Sequence, residues 1–204
     1  MSVLLVTGTG TEVGKTWFAT RLITAMRERG TTVAARKPAQ SFEPGSGPTD
    51  ADLLAAASGE TPHTVCPEHR WYEVPMAPPM AAAVLGRPAI ALADLVVECA
   101  PDPVAAITVV EGAGGPRSPI ADDGDCIDLG RALGAERVLL VADAGLGTIN
   151  AVRLCVEALR GFPVLVALNR FDPADDLHRR NRDWLLDHGF AVALSPAEAA
   201  ALLA

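Results

Sequence analysis

The fold turns on one stretch, Val3-Leu4-Leu5-Val6-Thr7-Gly8-Thr9-Gly10-Thr11-Glu12-Val13-Gly14-Lys15-Thr16-Trp17-Phe18. Val3–Thr7 carries apolar or β-branched side chains without polar alternation, which reads as a strand buried on both faces. The glycines that follow make a tight turn. Phe18, Leu22, Ile23 and Met26 then recur at helical spacing until Gly30, predicting a helix over Thr16–Arg29. A strand, a glycine-rich turn and Gly14-Lys15-Thr16 opening a helix make a cradle for phosphate. Backbone N–H groups and the helix N-terminus favour an anion. Lys15 can reach the β- and γ-phosphates, and the Thr16 hydroxyl can join the shell of a magnesium ion. The spacing is a variant: Thr9 stands five residues before Gly14, where the common pattern has glycine, and Gly8 comes one residue earlier.

Outward from this stretch, short apolar runs alternate with helical patterns. Strands are predicted over Val33–Lys37, Ala106–Val110 (ending in Glu111), Arg137–Ala142, Val164–Leu168 and Ala191–Leu194. Helices are predicted over Asp50–Ser58, Ile90–Glu98, Cys126–Leu133, Thr148–Leu159 and Asp175–His188. The Gly-, Pro- and Ser-rich stretch Gln40–Pro48 and the proline-rich stretch Pro62–Pro79 read as loops. The expectation is an α/β chain of P-loop NTPase type. It is a single doubly wound domain over residues 1–204, with a mostly parallel sheet flanked by helices. Such a sheet brings the C-terminal ends of its strands to one edge, where the chemistry should collect.

Composition narrows the function classes. Of 204 residues, half are apolar, enough for a buried sheet, and the core must be filled by Ala, Leu and Val because aromatics are only 4%. Lys plus Arg is 17 and Asp plus Glu is 25, so the net charge is 17 − 25 = −8. That balance argues against a nucleic-acid-binding face. No apolar run approaches the roughly 20 residues that cross a bilayer. The first apolar stretch has no charged leader and does not read as a signal peptide, so a cytoplasmic location without membrane contact is expected. Cys66, Cys99, Cys126 and Cys155 lack CxxC spacing, which suits reduced, mostly buried thiols better than a zinc site.

Several charged residues fall at the expected sheet edge. Glu111 ends a strand and precedes Gly112-Ala113-Gly114-Gly115, a position suited to magnesium coordination beside a glycine turn open to a ligand. Asp50 opens a helix, with Asp52 close enough to be a rival ligand. Lys37 ends a strand before Pro38, where its charge can neutralise a γ-phosphate in transfer.

Taken together, these residues resemble the dethiobiotin synthetase family. The resemblance is carried by Thr7–Thr16, Lys37-Pro38 with Ser41, Thr49-Asp50, Pro75-Met76-Ala77-Pro78 before Ala81-Ala82-Ala83, Glu111–Gly115, and Gly145-Leu146-Gly147-Thr148-Ile149-Asn150. These stretches keep the family's order from residue 7 to about 170. The resemblance implies an ATP- and magnesium-dependent ligase that joins CO2 to a vicinal diamine, diaminopelargonic acid. A carbamate and a carbamic-phosphoric anhydride precede closure of a cyclic urea. It assigns catalysis to Lys15 and Lys37, and the metal to Thr16, Asp50 and Glu111. Asp50 is preferred over Asp52 because Thr49-Asp50-Ala51 matches the family's hydroxyl-Asp-Ala run. The nucleotide set adds Glu12, Val13, Gly14, Trp17, Gly112, Ala113, Gly114 and the base-reading Asn169. The substrate set is Thr11, Ser41, Gly147, Thr148, Ile149 and Asn150, with the pocket completed across a homodimer.

Departures from the family pattern are Ala151, where His is frequent, and the short Ala-rich ending from Pro196. Trp71 and Tyr72 are expected to serve packing or a dimer surface. Two other readings share the loop. One is an amide-ligase domain of cobyrinic acid amidases, which requires a glutaminase partner. The other is a switch or partitioning ATPase, against which stands Gly10, where the partitioning class has its signature lysine.

Overall fold

The computed structural model describes residues 1–203. Six strands form its central sheet: β1 (Ser2–Gly8), β2 (Val33–Arg36), β5 (Ile107–Glu111), β8 (Arg137–Asp143), β9 (Val164–Asn169) and β10 (Ala191–Ala193). All pair in parallel, in the order β10-β9-β8-β1-β5-β2. Two small ladders lie outside the sheet, β3 (Gln40–Ser41) with β4 (Trp71–Tyr72), and β6 (Pro119–Ala121) with β7 (Gly124–Asp125). Helices α1 (Lys15–Glu28), α2 (Asp50–Ser58), α3 (Pro62–Val65), α4 (Pro78–Val84), α5 (Leu92–Glu98), α6 (Cys126–Ala132), α7 (Thr148–Ala158), α8 (Asp176–Asp187) and α9 (Pro196–Leu203) connect and cover the strands.

The continuous apolar strands have the role their pattern implies. Val3 and Leu5 face one core with Val138, Leu140 and Ile127, while Leu4 and Val6 face the other with Phe18, Leu22 and Leu139. Because successive side chains point to opposite faces, a strand buried on both sides must be apolar at every position. Each strand of the central sheet, and each of helices α1, α2, α5, α6, α7 and α8, lies within two residues of its predicted span at either end.

The two stretches expected to be loops hold structure of their own. Gln40–Ser41 pairs with Trp71–Tyr72 in parallel, and Pro62–Pro79 contains α3, a 3₁₀ turn at Glu68–Arg70, β4 and the start of α4. Pro62 and Pro78 sit in first turns, where their missing N–H has no helical partner to lose, so proline here starts helices. Tyr72 is buried, and Trp71 donates from Nε1 to the Cys66 carbonyl at 2.9 Å while meeting the Phe42 ring edge-on. Both aromatics are used in packing. The Ala-rich ending forms α9, which lies against α1 with Ala199 and Ala200 buried.

Helix α2 starts with a capping box. The Thr49 hydroxyl accepts from the Asp52 N–H at 3.3 Å, and Asp52 Oδ2 accepts from the Thr49 N–H at 2.8 Å. The same Asp52 oxygen accepts from the Thr49 hydroxyl at 2.8 Å, so Asp52 is occupied by the helix end. We predict that Asp52→Ala lowers the unfolding free energy by about 1 kcal/mol, as loss of a cap does. Urea denaturation measures this; an unchanged midpoint would remove the box from the stability of α2.

Candidate active site

The sheet delivers the ends of β1, β2, β5, β8 and β9 to one edge, and the charged residues gather there. At the end of β1 the chain turns through Gly8–Gly14 into α1. Gly14 lies in the left-handed region with φ 86°, and a Cβ on it would collide with Asn169 Nδ2, so both conformation and space demand glycine. No side chain caps α1, which leaves its first N–H groups facing the turn. Lys15 curls back to donate to the Gly10 carbonyl at 2.9 Å. Burial, helped by the nearby charge of Lys37, pulls the Lys15 ammonium below the ordinary lysine range.

Beside the turn lies a compact ionic cluster. Lys37, the residue after β2 and 3% exposed, donates from Nζ to Glu111 Oε1 at 2.7 Å and pairs with Asp50 Oδ2 at 2.7 Å. Thr16 Oγ1 lies 2.8 Å from Asp50 Oδ1 and 2.9 Å from Glu111 Oε1. Glu111 at the end of β5 has no exposure, and its Oε2 has no hydrogen-bond partner. Burial opposes the charge on Lys37, but Asp50 and Glu111 outweigh it and hold the ammonium well above the usual lysine range. The Lys37 charge in turn holds Asp50 below the usual carboxylate range. Burial pushes Glu111 up against the pull of Lys37.

These residues border a cavity of about 490 Å³. Of the residues singled out in the sequence, Thr11, Glu12, Gly14, Lys15, Thr16 and Trp17 line it from the turn and the first turn of α1. Lys37, Ser41 and Asp50 line a second wall, Ala113 and Gly114 a third. Glu111 and Gly112 lie behind that third wall, Gly112 so close to Cys126 that a Cβ would stand 2.5 Å from its Sγ. Val13 and Asn169 back the turn, with Asn169 Nδ2 donating to the Val13 carbonyl at 2.9 Å. Gly147, Thr148, Ile149 and Asn150 start α7 beyond the end of β8 and are not among the cavity residues.

Other cavity residues were given no site role in the sequence reading, although Pro75–Pro78 was among the stretches that carry the resemblance. Gln40 is 3% exposed; its Oε1 accepts from the Ala51 N–H at 2.9 Å, while its Nε2, like Ser41 Oγ, is buried without a partner. Pro75–Pro78, Ser118 and Pro119 complete the rim. Gln40 lies in a stretch whose composition spells loop, so nothing in its local pattern signals burial.

A parallel sheet whose edge carries a glycine turn, a helix-opening lysine and hydroxyl, and strand-end carboxylates defines a P-loop nucleotide-binding protein. A family model described as an AAA domain matches residues 2–189. The ATP-dependent dethiobiotin synthetase of Anaeromyxobacter dehalogenans (strain 2CP-C) is 45% identical over 183 residues, 86% of this chain and 80% of that protein. Those of Anaeromyxobacter sp. (strain K) and Rhodococcus jostii (strain RHA1) are each 42% identical, covering 99% and 78% of this chain and 86% and 68% of their own lengths. The chain belongs to the dethiobiotin synthetase family. Among solved structures, the signal recognition particle 54 kDa protein of Aeropyrum pernix K1 in complex with GDP aligns with a TM-score of 0.50 at 17% identity. That alignment covers 97% of this chain and 42% of the other, a likeness of fold.

The cluster sets a prediction. Removing one partner of a buried ion pair strands the other, at a cost of about 3–5 kcal/mol. Lys37→Met should therefore destabilise the fold by that order, and adding Glu111→Gln should recover part of the loss. Urea unfolding of the two single variants and the double variant measures the coupling; strict additivity would mean that the two side chains do not share their charge.

Proposed function

We propose that this chain is an ATP-dependent ligase that closes a vicinal diamine, diaminopelargonic acid, with CO2 into the cyclic urea dethiobiotin, a step of biotin biosynthesis. The observation that carries the reading is the group of Lys15, Lys37, Asp50 and Glu111 gathered beside the phosphate-binding turn, in a chain 45% identical to a dethiobiotin synthetase. Phosphoryl transfer asks chiefly for positioning and charge neutralisation, which this cluster suits.

The reaction proceeds as follows in this reading. One amine adds to CO2 and loses a proton, giving a carbamate. The carbamate oxygen takes the γ-phosphoryl group and ADP leaves. The second amine then attacks the carbamate carbon and gives up a proton, and phosphate departs as the ring closes. The N–H groups of the turn and of the α1 N-terminus hold the phosphates, and Lys15 neutralises their oxygens. Thr11 and Ser41, both on the cavity wall, orient the carbamate. Asn169 reads the base from behind the turn.

Magnesium fits the cluster. Thr16 Oγ1, Asp50 and Glu111 are hard oxygen ligands, the hydroxyl within hydrogen-bond distance of both carboxylates and the carboxylates already facing the Lys37 cation, and Glu111 Oε2 is unpartnered. The ion would supply further charge neutralisation at the phosphates. Lys37 would yield its carboxylates to the ion and turn to the phosphoryl oxygens. Asp50 serves rather than Asp52, which is spent on the α2 cap.

The turn Gly147–Asn150 would bind the substrate's far carboxylate. It stands off the cavity of its own chain, which favours a pocket completed across a homodimer. No described helix is long and apolar enough to cross a membrane.

The protein with ATP, magnesium, bicarbonate and the diamine should yield dethiobiotin, detected by mass spectrometry, and Lys15→Ala should abolish it. Phosphate release indifferent to the diamine would sink the assignment. Glu111→Gln should raise the magnesium concentration at half-maximal rate about tenfold or more. An unchanged magnesium titration would remove Glu111 from the metal site.

A further inference from the structure

Among the described residues, two that are not glycine hold a positive φ, Glu12 at 61° and Arg170 at 59°. They lie 158 positions apart in the chain, and the side chain of one is bonded to the backbone of the other. Arg170 follows the last residue of β9 and donates from one terminal nitrogen to the Glu12 carbonyl at 2.9 Å. Its other terminal nitrogen lies 3.0 Å from Asp143 Oδ2, at the end of β8. Asp143 Oδ1 accepts from the Gly145 N–H at 2.8 Å, and Asn181 of α8 donates to the Ala144 and Gly145 carbonyls, both at 2.9 Å. The anchor of Arg170 is thus itself tied into a fixed turn.

We propose that Arg170 is a positioning residue for nucleotide binding, which locks the strained Glu12 peptide so that the phosphate-binding turn is set before the ligand arrives. In a trans peptide the carbonyl of one residue and the N–H of the next point in opposite directions. Arg170 draws the Glu12 carbonyl toward the end of β9, and Asn169 draws the Val13 carbonyl the same way. The N–H groups of Val13 and Gly14 therefore face away from β9, the orientation an anion in the turn requires. A left-handed conformation costs a residue with a Cβ roughly 1–2 kcal/mol, so Glu12 needs something to hold it. The exposed Arg170–Asp143 pair adds little to global stability, because such pairs contribute about 0–1 kcal/mol. Its effect falls on the geometry of the turn.

The proposal rests on the nucleotide reading of this turn, and the test separates the two. ATP affinity is measured by calorimetry for wild type, Arg170→Met, Arg170→Lys and Asp143→Asn, with melting curves and steady-state kinetics alongside. Arg170→Met should weaken ATP binding about tenfold, the scale of one lost charge-assisted hydrogen bond. KM for ATP should rise in step, with kcat and melting temperature nearly unchanged. Arg170→Lys should restore part of the affinity, since an ammonium reaches one of the two partners, and Asp143→Asn should fall between. If Arg170→Met binds ATP as wild type does, or loses kcat and stability with KM unchanged, the positioning role is wrong. If wild type itself binds no nucleotide, the reading of the turn falls and the proposal with it.

Discussion

The Lys37 ammonium between Asp50 and Glu111 is the constraint around which this edge of the molecule is built. A carboxylate with no exposure cannot stay ionised without a counter-charge, since the unpaired cost is several kcal/mol. Lys37 supplies that charge from the end of β2, one strand over from Glu111 on β5. Parallel pairing puts both residues at the same edge; an antiparallel neighbour would carry its last residue to the other end. The third member, Asp50, comes from the first turn of α2, where a carboxylate also complements the helix dipole. Sheet topology and helix start are thus both needed for two contacts of 2.7 Å.

The legibility of the sequence follows from how much local signal each element carries. Buried strands need apolar residues at every position, so all six central strands announced themselves, and Glu111 and Lys37 could be placed at strand ends. Helix α2 matches its expected bounds because Thr49 caps one end and Gly59, at φ 82°, stops the other. The choice between Asp50 and Asp52 was not legible from the residues alone, since both lie in one helical turn and both suit it. Their separation is geometric: Asp52 folds back on Thr49, and Asp50 reaches Thr16 and Lys37. Strands of two residues, such as β3 and β4, have no period to detect, and the prolines that hide α3 and α4 look alike whether they break a helix or begin one. Arg170 was invisible for another reason. Its partner Glu12 is 158 positions away, and nothing local marks either residue as left-handed.

The turn, the bare start of α1 and the ionic cluster argue for phosphate chemistry by themselves, because they offer free N–H groups and paired charges around a cavity. They carry no information about a diamine. That part comes from relatives 42–45% identical over most of the chain, and the variant spacing at Thr9 and Gly10 agrees with it by departing from the commoner loops.

Charge balance shows why the turn must be firm and the cluster yielding. Lys15 and Lys37 carry two positive charges and Asp50 and Glu111 two negative ones, so these four groups balance, and the Lys37 charge is spent on both carboxylates. A triphosphate brings several negative charges, and it can be met only if these pairs reopen and face the ligand. Such an exchange costs little when the new partners replace the old. The backbone cannot make the same exchange, because a peptide N–H turns only with the chain, so those that meet the ligand must already point at it. The turn is tied down from β9 and β8 as well as from the cluster's own side: Asn169 and Arg170 from the end of β9, Val141 of β8, whose carbonyl accepts from the Thr9 N–H at 2.9 Å, the Gly114 carbonyl after β5, which accepts from the Gly8 N–H at 3.3 Å, and Lys15, which donates to the Gly10 carbonyl. The backbone of the turn is thereby held from several strand ends at once, and the side chains that rearrange are only one of its ties.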